Sequence, residues 1–107
     1  MNVDIVYGIR DRVTGEFFDK HCTRRILLEQ IGRDCIYNSA APCKSIITRW
    51  KQWAENYRKR LDQPQVTYTQ DNINYFQTEW TRYMTAINNA DIIKFERIWN
   101  PVEVVPR

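Results

Sequence analysis

Four residues have side chains of the kinds that bind zinc in proteins: His21, Cys22, Cys35 and Cys43. Structural zinc sites generally contain ligands in closely spaced pairs, whereas these cysteines are far apart and form no CxxC pair. We therefore expect no metal and no cofactor in this chain. His21 and Cys22 also make a poor base and nucleophile, because neighbours in sequence rarely face one another and a third group must orient the base.

Carboxylates are the next candidates for catalysis, and Glu16, Asp19 and Glu29 lie in one region of the sequence. Acid–base work by two carboxylates requires them to lie roughly 5–10 Å apart in a cleft, and no pattern in the sequence indicates such a placement. The glycines are isolated, so there is no glycine-rich loop of the kind that holds phosphate. We expect a protein that is not an enzyme.

Basic residues form a clearer pattern. Lys44, Lys51 and Arg58 recur every seven residues, which places them along one ridge of a helix. Such a ridge can bind phosphates while exposed tyrosines stack on bases, or it can be a solvated face that binds nothing. Tyrosine and arginine also anchor protein interfaces. The candidate residues for binding a partner protein or nucleic acid are Arg24, Arg25, Lys44, Lys51, Arg58, Tyr68 and Tyr75.

Length and composition are those of one globular domain. The chain has 107 residues, 43% hydrophobic and 13% aromatic, with a formal charge of +3. This charge excludes an acidic mimic of DNA and is compatible with a nucleic-acid partner. Neither a long apolar run nor a secretory signal is present, so we expect a cytoplasmic protein with reduced cysteines and no membrane partner. We predict one domain over 1–107, with 100–107 as a loose tail.

The longest helical pattern runs over Ser39–Leu61. Its apolar residues recur every three or four positions and cover about a third of the helix circumference. A second amphipathic helix is predicted over Asp71–Ile87, capped by Thr69 or Asp71. The apolar stripe of the first helix consists of Cys43, Ile46, Ile47, Trp50, Trp53, Ala54, Tyr57 and Leu61.

Four extended segments are predicted around these helices. A short helix from Thr23 to Gly32 is predicted between the second and third extended segments. The resulting order is ββ(α)βααβ. It predicts an α+β fold in which two long amphipathic helices cover one face of a small antiparallel sheet of three or four strands. The predicted strands are Val3–Ile9, Glu16–Asp19, Asp34–Tyr37 and Asp91–Trp99.

The N-terminal hairpin resembles that of small uncharacterised proteins of tailed bacteriophages, which begin with a Tyr-x-Ile-Arg-x-x-x-Thr-Gly-x-Phe pattern. This resemblance implies a fold and a phage origin but no active site. Gly32-Arg33 stands where the family has Gly-Lys, and the helix Asp71–Ile87 goes beyond its simplest members. The matching residues are Tyr7, Ile9, Arg10, Thr14, Gly15 and Phe17.

Among phage proteins of this size that are understood, many bind and inhibit or redirect a host enzyme or a defence system. By this analogy we expect a non-enzymatic interaction protein that binds a bacterial host or defence protein in the host cytoplasm. The alternative is a nucleic-acid or nucleotide-binding module that uses the basic ridge of the first helix. The sequence leaves open whether the chain forms a homo-oligomer.

Overall fold

The computed structural model of the chain describes residues 2–22, 25–26, 35–63 and 68–99. It is an α+β fold, as predicted. Its four strands form one sheet in the order β3-β2-β1-β4, in which all pairs are antiparallel. In chain order the elements are β1 (Asn2–Asp11), β2 (Phe17–Phe18), β3 (Arg25–Ile26), α1 (Ala40–Leu61), α2 (Gln70–Asn89) and β4 (Ala90–Trp99).

The first and last strands form the longest pair of the sheet. Their register runs without interruption from Asn2↔Trp99 to Asp11↔Ala90. Both strands were predicted from alternating residues, and both are confirmed. Because α2 ends at Asn89 and β4 begins at the next residue, the second helix leads directly back onto the sheet.

The predicted N-terminal hairpin is also confirmed. Gly15 has a φ of +77°, which glycine adopts without the penalty that a side chain brings. Asp11 closes the turn, since its Oδ1 atom accepts hydrogen bonds from the backbone N–H groups of Val13 at 2.8 Å and Thr14 at 3.3 Å. The backbone N–H of Asp11 in turn donates to the carbonyl of Glu16 at 2.8 Å.

The prediction of a short helix from Thr23 to Gly32 is wrong at Arg25 and Ile26. The segment Arg25–Ile26 is strand β3 and pairs with β2 through Phe17↔Ile26. The outer edge of β2 offers backbone groups for pairing, and this tertiary pairing overrides a local helical preference. Residues 23–24 and 27–34 of that prediction lie outside the described residues.

The third predicted strand, Asp34–Tyr37, is reduced to a single bridge. Tyr37 exchanges two backbone hydrogen bonds of 2.8 Å with Tyr7, and Cys35 lies in a 3₁₀ turn. The two-residue strand β2 is too short to pair with β1 beyond Arg10. Tyr37 therefore satisfies the backbone groups of Tyr7 that β2 does not reach. Asp34 lies outside the described residues.

Both long helices form where their patterns predict them, with ends that differ by a residue or two. Ser39 is the N-terminal cap of α1 without a side-chain hydrogen bond. Thr69 caps α2, and its Oγ1 atom accepts a hydrogen bond from the backbone N–H of Asn72 at 3.2 Å. No helix within the described ranges is long and apolar enough to cross a membrane.

The main core lies between the two helices and one face of the sheet. Trp50 at its centre is completely buried and meets the ring of Phe18 edge-on at 5.4 Å. The sheet contributes Ile9 to the same cluster. The buried residues of the helices are Cys43, Ile46, Trp50 and Ala54 in α1 and Phe76, Tyr83 and Ala86 in α2.

A second, smaller apolar cluster lies on the opposite face of the sheet. Side chains alternate along a strand, so Val6 and Phe17 point away from the helices that cover Ile9. Both are buried, and the ring of Phe17 lies 5.6 Å from that of Phe95. Val6 and Phe17 are therefore covered on the face of the sheet that lies opposite the helices.

Candidate functional site

Two residues of the predicted basic ridge lie together on one side of the helix pair. Lys51 and Arg58 line a groove whose walls also carry Glu55 and Asp62. Arg58 Nε lies 3.3 Å from Asp62 Oδ2, and its guanidinium lies 5.8 Å from the centre of the Trp80 ring. The nearby carboxylates thus offset much of the positive charge of this groove.

The structure separates the other predicted basic residues from that groove. Lys44 is exposed on α1 but does not line the groove. Arg25 belongs to β3, on the far side of the sheet from β4. Arg24 lies outside the described residues. The predicted basic residues that the structure describes therefore do not form one continuous binding surface.

The predicted tyrosines belong to an aromatic cluster between the C-terminal half of α1 and the start of α2. Tyr68 meets Phe76 edge-on at 5.0 Å. Tyr75 meets Tyr57 edge-on at 6.1 Å and is 55% exposed. These rings pack on one another, yet Tyr75 keeps one surface available to a partner.

A pocket of about 300 Å³ opens on the other side of the helix pair. We call it the aromatic pocket, and none of its lining residues is among the predicted binding residues. Four of them lie three, four and seven residues apart on one face of α1, which is the spacing that brings side chains together on a helix. The pocket is lined by His21, Trp53, Asn56, Tyr57, Arg60 and Tyr83.

The turn after β2 brings His21 to this pocket and is held by both helices. Trp50 Nε1 donates a hydrogen bond to the carbonyl of Lys20 at 2.9 Å. Arg82 Nη1 donates to the carbonyls of His21 at 3.1 Å and Cys22 at 2.7 Å. The His21 ring consequently stacks on that of Trp53, with centres 6.2 Å apart and planes 20° from parallel.

This turn contains a strained residue. Cys22 has a φ of +59°, which places a side chain in a region that costs about 1–2 kcal/mol for a residue other than glycine. The hydrogen bond from Arg82 and the burial of Cys22 hold that conformation. The wall of the pocket that carries His21 is therefore fixed by the surrounding structure.

The tyrosines of the pocket remain neutral at physiological pH. Burial, followed by the effect of neighbouring Tyr75, raises the pKa of Tyr57 to about 12. Burial also raises the pKa of Tyr83. Both phenols can therefore donate and accept hydrogen bonds, and neither adds negative charge to the pocket.

Arg60 is the cation at the rim of the aromatic pocket. Its guanidinium lies 5.7 Å from the ring centre of Tyr57 and 5.2 Å from that of Phe76. The neighbouring arginines have carboxylate partners. Arg58 pairs with Asp62, and Arg82 donates two hydrogen bonds to the carboxylate of Glu79. Within the part of the chain that the structure describes, Arg60 has none.

The chain matches no protein-family model, no curated protein and no solved structure. The phage resemblance therefore stays a prediction that rests on the hairpin pattern.

The chemistry that this pocket offers is recognition. Stacked rings provide flat apolar surface, and Arg60 provides a positive charge for an anionic group. The described residues contain no group of three or more His, Cys, Asp or Glu that could hold a metal ion. The thiols of Cys22, Cys35 and Cys43 are all buried.

Proposed function

We propose that the protein is a non-enzymatic interaction protein of phage type that binds a bacterial host or defence protein and inhibits or redirects it. The aromatic pocket is the docking site. The observation that carries this proposal is Arg60, a cation held over aromatic rings at the pocket rim with no carboxylate partner among the described residues. Tryptophan, tyrosine and arginine are the residues that dominate binding energy at protein interfaces.

The size of the pocket supports a side chain of a partner as the occupant. About 300 Å³ is at the lower end of pockets that enclose small molecules. A protruding loop that inserts one flat or apolar side chain would fill this pocket and contact the adjoining rings of Trp53 and Tyr83, whose centres lie 5.6 Å apart. An acidic residue beside it would then pair with Arg60 and gain a charge-assisted hydrogen bond.

The phage context of the proposal rests on the hairpin. Its turn is built by Asp11, Thr14 and Gly15, and the last two belong to the pattern that resembles phage proteins. From the same context we infer a location in the cytoplasm of a bacterial host. These residues are structural, so they support an origin and leave the partner to be defined by the pocket.

Nucleic-acid or nucleotide binding is the second candidate. It is favoured by Lys44 and Lys51, which are exposed on α1. Against it, Glu55 and Asp62 lie in the same groove as Lys51, and Arg58 is already paired. A phosphate backbone would meet these carboxylates as well as the cations, so the aromatic pocket supports protein binding better.

Affinity capture from bacterial lysate, with and without nuclease, tests the proposal. We expect the wild type to hold a defined protein in equal amounts in both samples. Arg60→Glu should reduce that capture about tenfold or more, which is the loss typical of an interface hot spot. Lys59→Glu is the matched control, because it makes the same charge change at an exposed neighbour in α1 and should leave capture unchanged.

Two outcomes would contradict the proposal. One is undiminished capture by Arg60→Glu. The other is a captured set that disappears with nuclease, falls with salt at a log–log slope of roughly −0.7 to −0.9 per phosphate neutralised, and is lost when Lys44, Lys51 and Arg58 are all changed to Glu. The second outcome would establish the nucleic-acid alternative.

A further inference from the structure

Strand β4 forms one edge of the sheet and is long for an edge strand. It pairs with β1 over ten residues without a bulge, and no described residue pairs with its outer side. Proteins commonly protect an edge by making it short, by a bulge, by proline or by charged side chains. Of these features, the segment Ala90–Trp99 has only charged side chains, which include Lys94 and Glu96.

The hydrogen bonds of Tyr7 show which backbone groups of β4 face outward. Tyr7 directs its N–H and C=O towards Tyr37, away from β4. Tyr7 lies directly opposite Lys94, and these two residues form no backbone hydrogen bonds with each other. In such a non-hydrogen-bonded pair of an antiparallel sheet, both residues direct their backbone groups away from each other. The N–H and C=O of Lys94 therefore point to the open edge, as do those of Ile92 and Glu96, two residues away.

The charges of Lys94 and Glu96 favour one register for pairing with a second copy. Two antiparallel copies related by a two-fold axis can pair their outward groups with Lys94 opposite Lys94, with Glu96 opposite Glu96, or with Lys94 opposite Glu96. Like charges directly opposite one another destabilise a sheet, and opposite charges stabilise it. Only the third register, centred on Phe95, makes both cross-strand pairs attractive.

We propose that two copies of this protein associate through β4 in that register and form one continuous sheet. Lys94 of each copy lies opposite Glu96 of its partner, and each such pair exchanges two backbone hydrogen bonds. Both side chains are exposed, and Ile5 beside Glu96 on β1 is 44% exposed. The helices thus leave this part of the strand pair open to the second copy.

Light scattering and sedimentation over a dilution series test this pairing. The monomer is 12.9 kDa, and we expect the wild type to show twice that mass and to dissociate on dilution. Lys94→Glu and Glu96→Lys each turn both attractive pairs into repulsive ones, so each should weaken the dimer about tenfold or more. Lys59→Glu, the same charge change as Lys94→Glu on an exposed site of α1, is the control and should leave the dimer unchanged.

Two combinations identify the register. The double variant Lys94→Glu/Glu96→Lys restores both attractive pairs and should recover the dimer. An equimolar mixture of the two single variants should form a heterodimer, because one chain then carries acidic side chains at both positions and the other carries basic side chains at both. Hydrogen exchange gives a readout on the unmodified protein, in which the amides of Ile92, Lys94 and Glu96 should lose protection on dilution.

The proposal is overturned if the wild type is a monomer throughout the dilution series. It is also overturned if both single variants still form the dimer. A third contradicting result is that the single variants dissociate but neither the double variant nor the mixture recovers the dimer. Protection of the β4 amides that is independent of concentration would exclude this edge as the interface.

Discussion

Replacing Gly8 by alanine adds a single methyl group at a point where two structural elements meet. A Cβ atom built there lies 2.8 and 2.9 Å from ring atoms of Phe17 and 3.2 Å from the backbone oxygen of Cys35. Neither neighbour can withdraw easily, since Phe17 is only 3% exposed and contacts Phe95, while the oxygen belongs to the main chain. We expect Gly8→Ala to destabilise the fold.

The sign of this effect is diagnostic. In an open strand position, alanine is favoured over glycine by about 0.5–1 kcal/mol. Forcing an extra carbon into a packed cluster costs about 1–3 kcal/mol. The balance predicts that the free energy of unfolding falls by about 1–2 kcal/mol, which lowers the midpoint of thermal unfolding by several degrees for a domain of this size.

Urea unfolding of a double-mutant cycle measures the contact itself. Phe17→Leu replaces the ring by a smaller aliphatic side chain, so it should recover some of the loss caused by Gly8→Ala, and the two changes should not be additive. Gly15→Ala is the control. It is strained by a φ of +77° but has no atom within 4 Å of the added carbon, so its loss should simply add to that of Phe17→Leu. Unchanged or increased stability of Gly8→Ala, or strict additivity with Phe17→Leu, would refute the packing described for this face.

Two further predictions concern the main core. Trp50→Ala should reduce the free energy of unfolding by about 3–5 kcal/mol. Trp50→Phe should reduce it by about 1–3 kcal/mol, because the carbonyl of Lys20 loses its hydrogen-bond donor. An unchanged urea midpoint for Trp50→Ala would show that this residue is not part of the core. Burial raises the pKa of the Cys43 thiol from 9.0 to about 11, so a thiol reagent should label it slowly in the native protein and rapidly in urea. Rapid labelling of the native protein would contradict this burial. Because the thiol ionises at a lower pH in the unfolded chain, the stability that Cys43 contributes is complete below pH 9 and falls as the pH rises towards 11. The stability of Cys43→Ala should fall less over this pH range.

The sequence was sufficient for the elements whose pattern is local. In α1, Cys43, Ile46 and Trp50 recur at helical spacing and are buried as that spacing predicts. The strand β4 alternates, and it forms as predicted. In both cases one face of the element is covered, so the periodicity of the sequence directly reflects burial.

Elements that depend on a distant partner were not predictable in the same way. Arg25 is in a strand because β2 presents an edge to it, and Tyr37 forms one bridge because β2 ends early along β1. The aromatic pocket has the same origin. Trp53 and Tyr57 were assigned to the apolar stripe of α1, and only the packing of α2 and of the turn with His21 converts that edge of the stripe into a pocket.

The two proposed surfaces use different parts of the molecule and can therefore be separated by mutation. The aromatic pocket is formed by α1, α2 and the turn after β2, whereas the proposed dimer uses β4 alone. Arg60→Glu should consequently leave dimer formation intact, and Lys94→Glu should leave each monomer able to bind.

Antiparallel pairing keeps the same face of both sheets on one side, so the dimer would present its two pockets in the same general direction. Against an oligomeric partner, the second contact would then form at a high effective concentration. In that case Lys94→Glu weakens capture by loss of bivalency, while its affinity for a single immobilised partner subunit is unchanged.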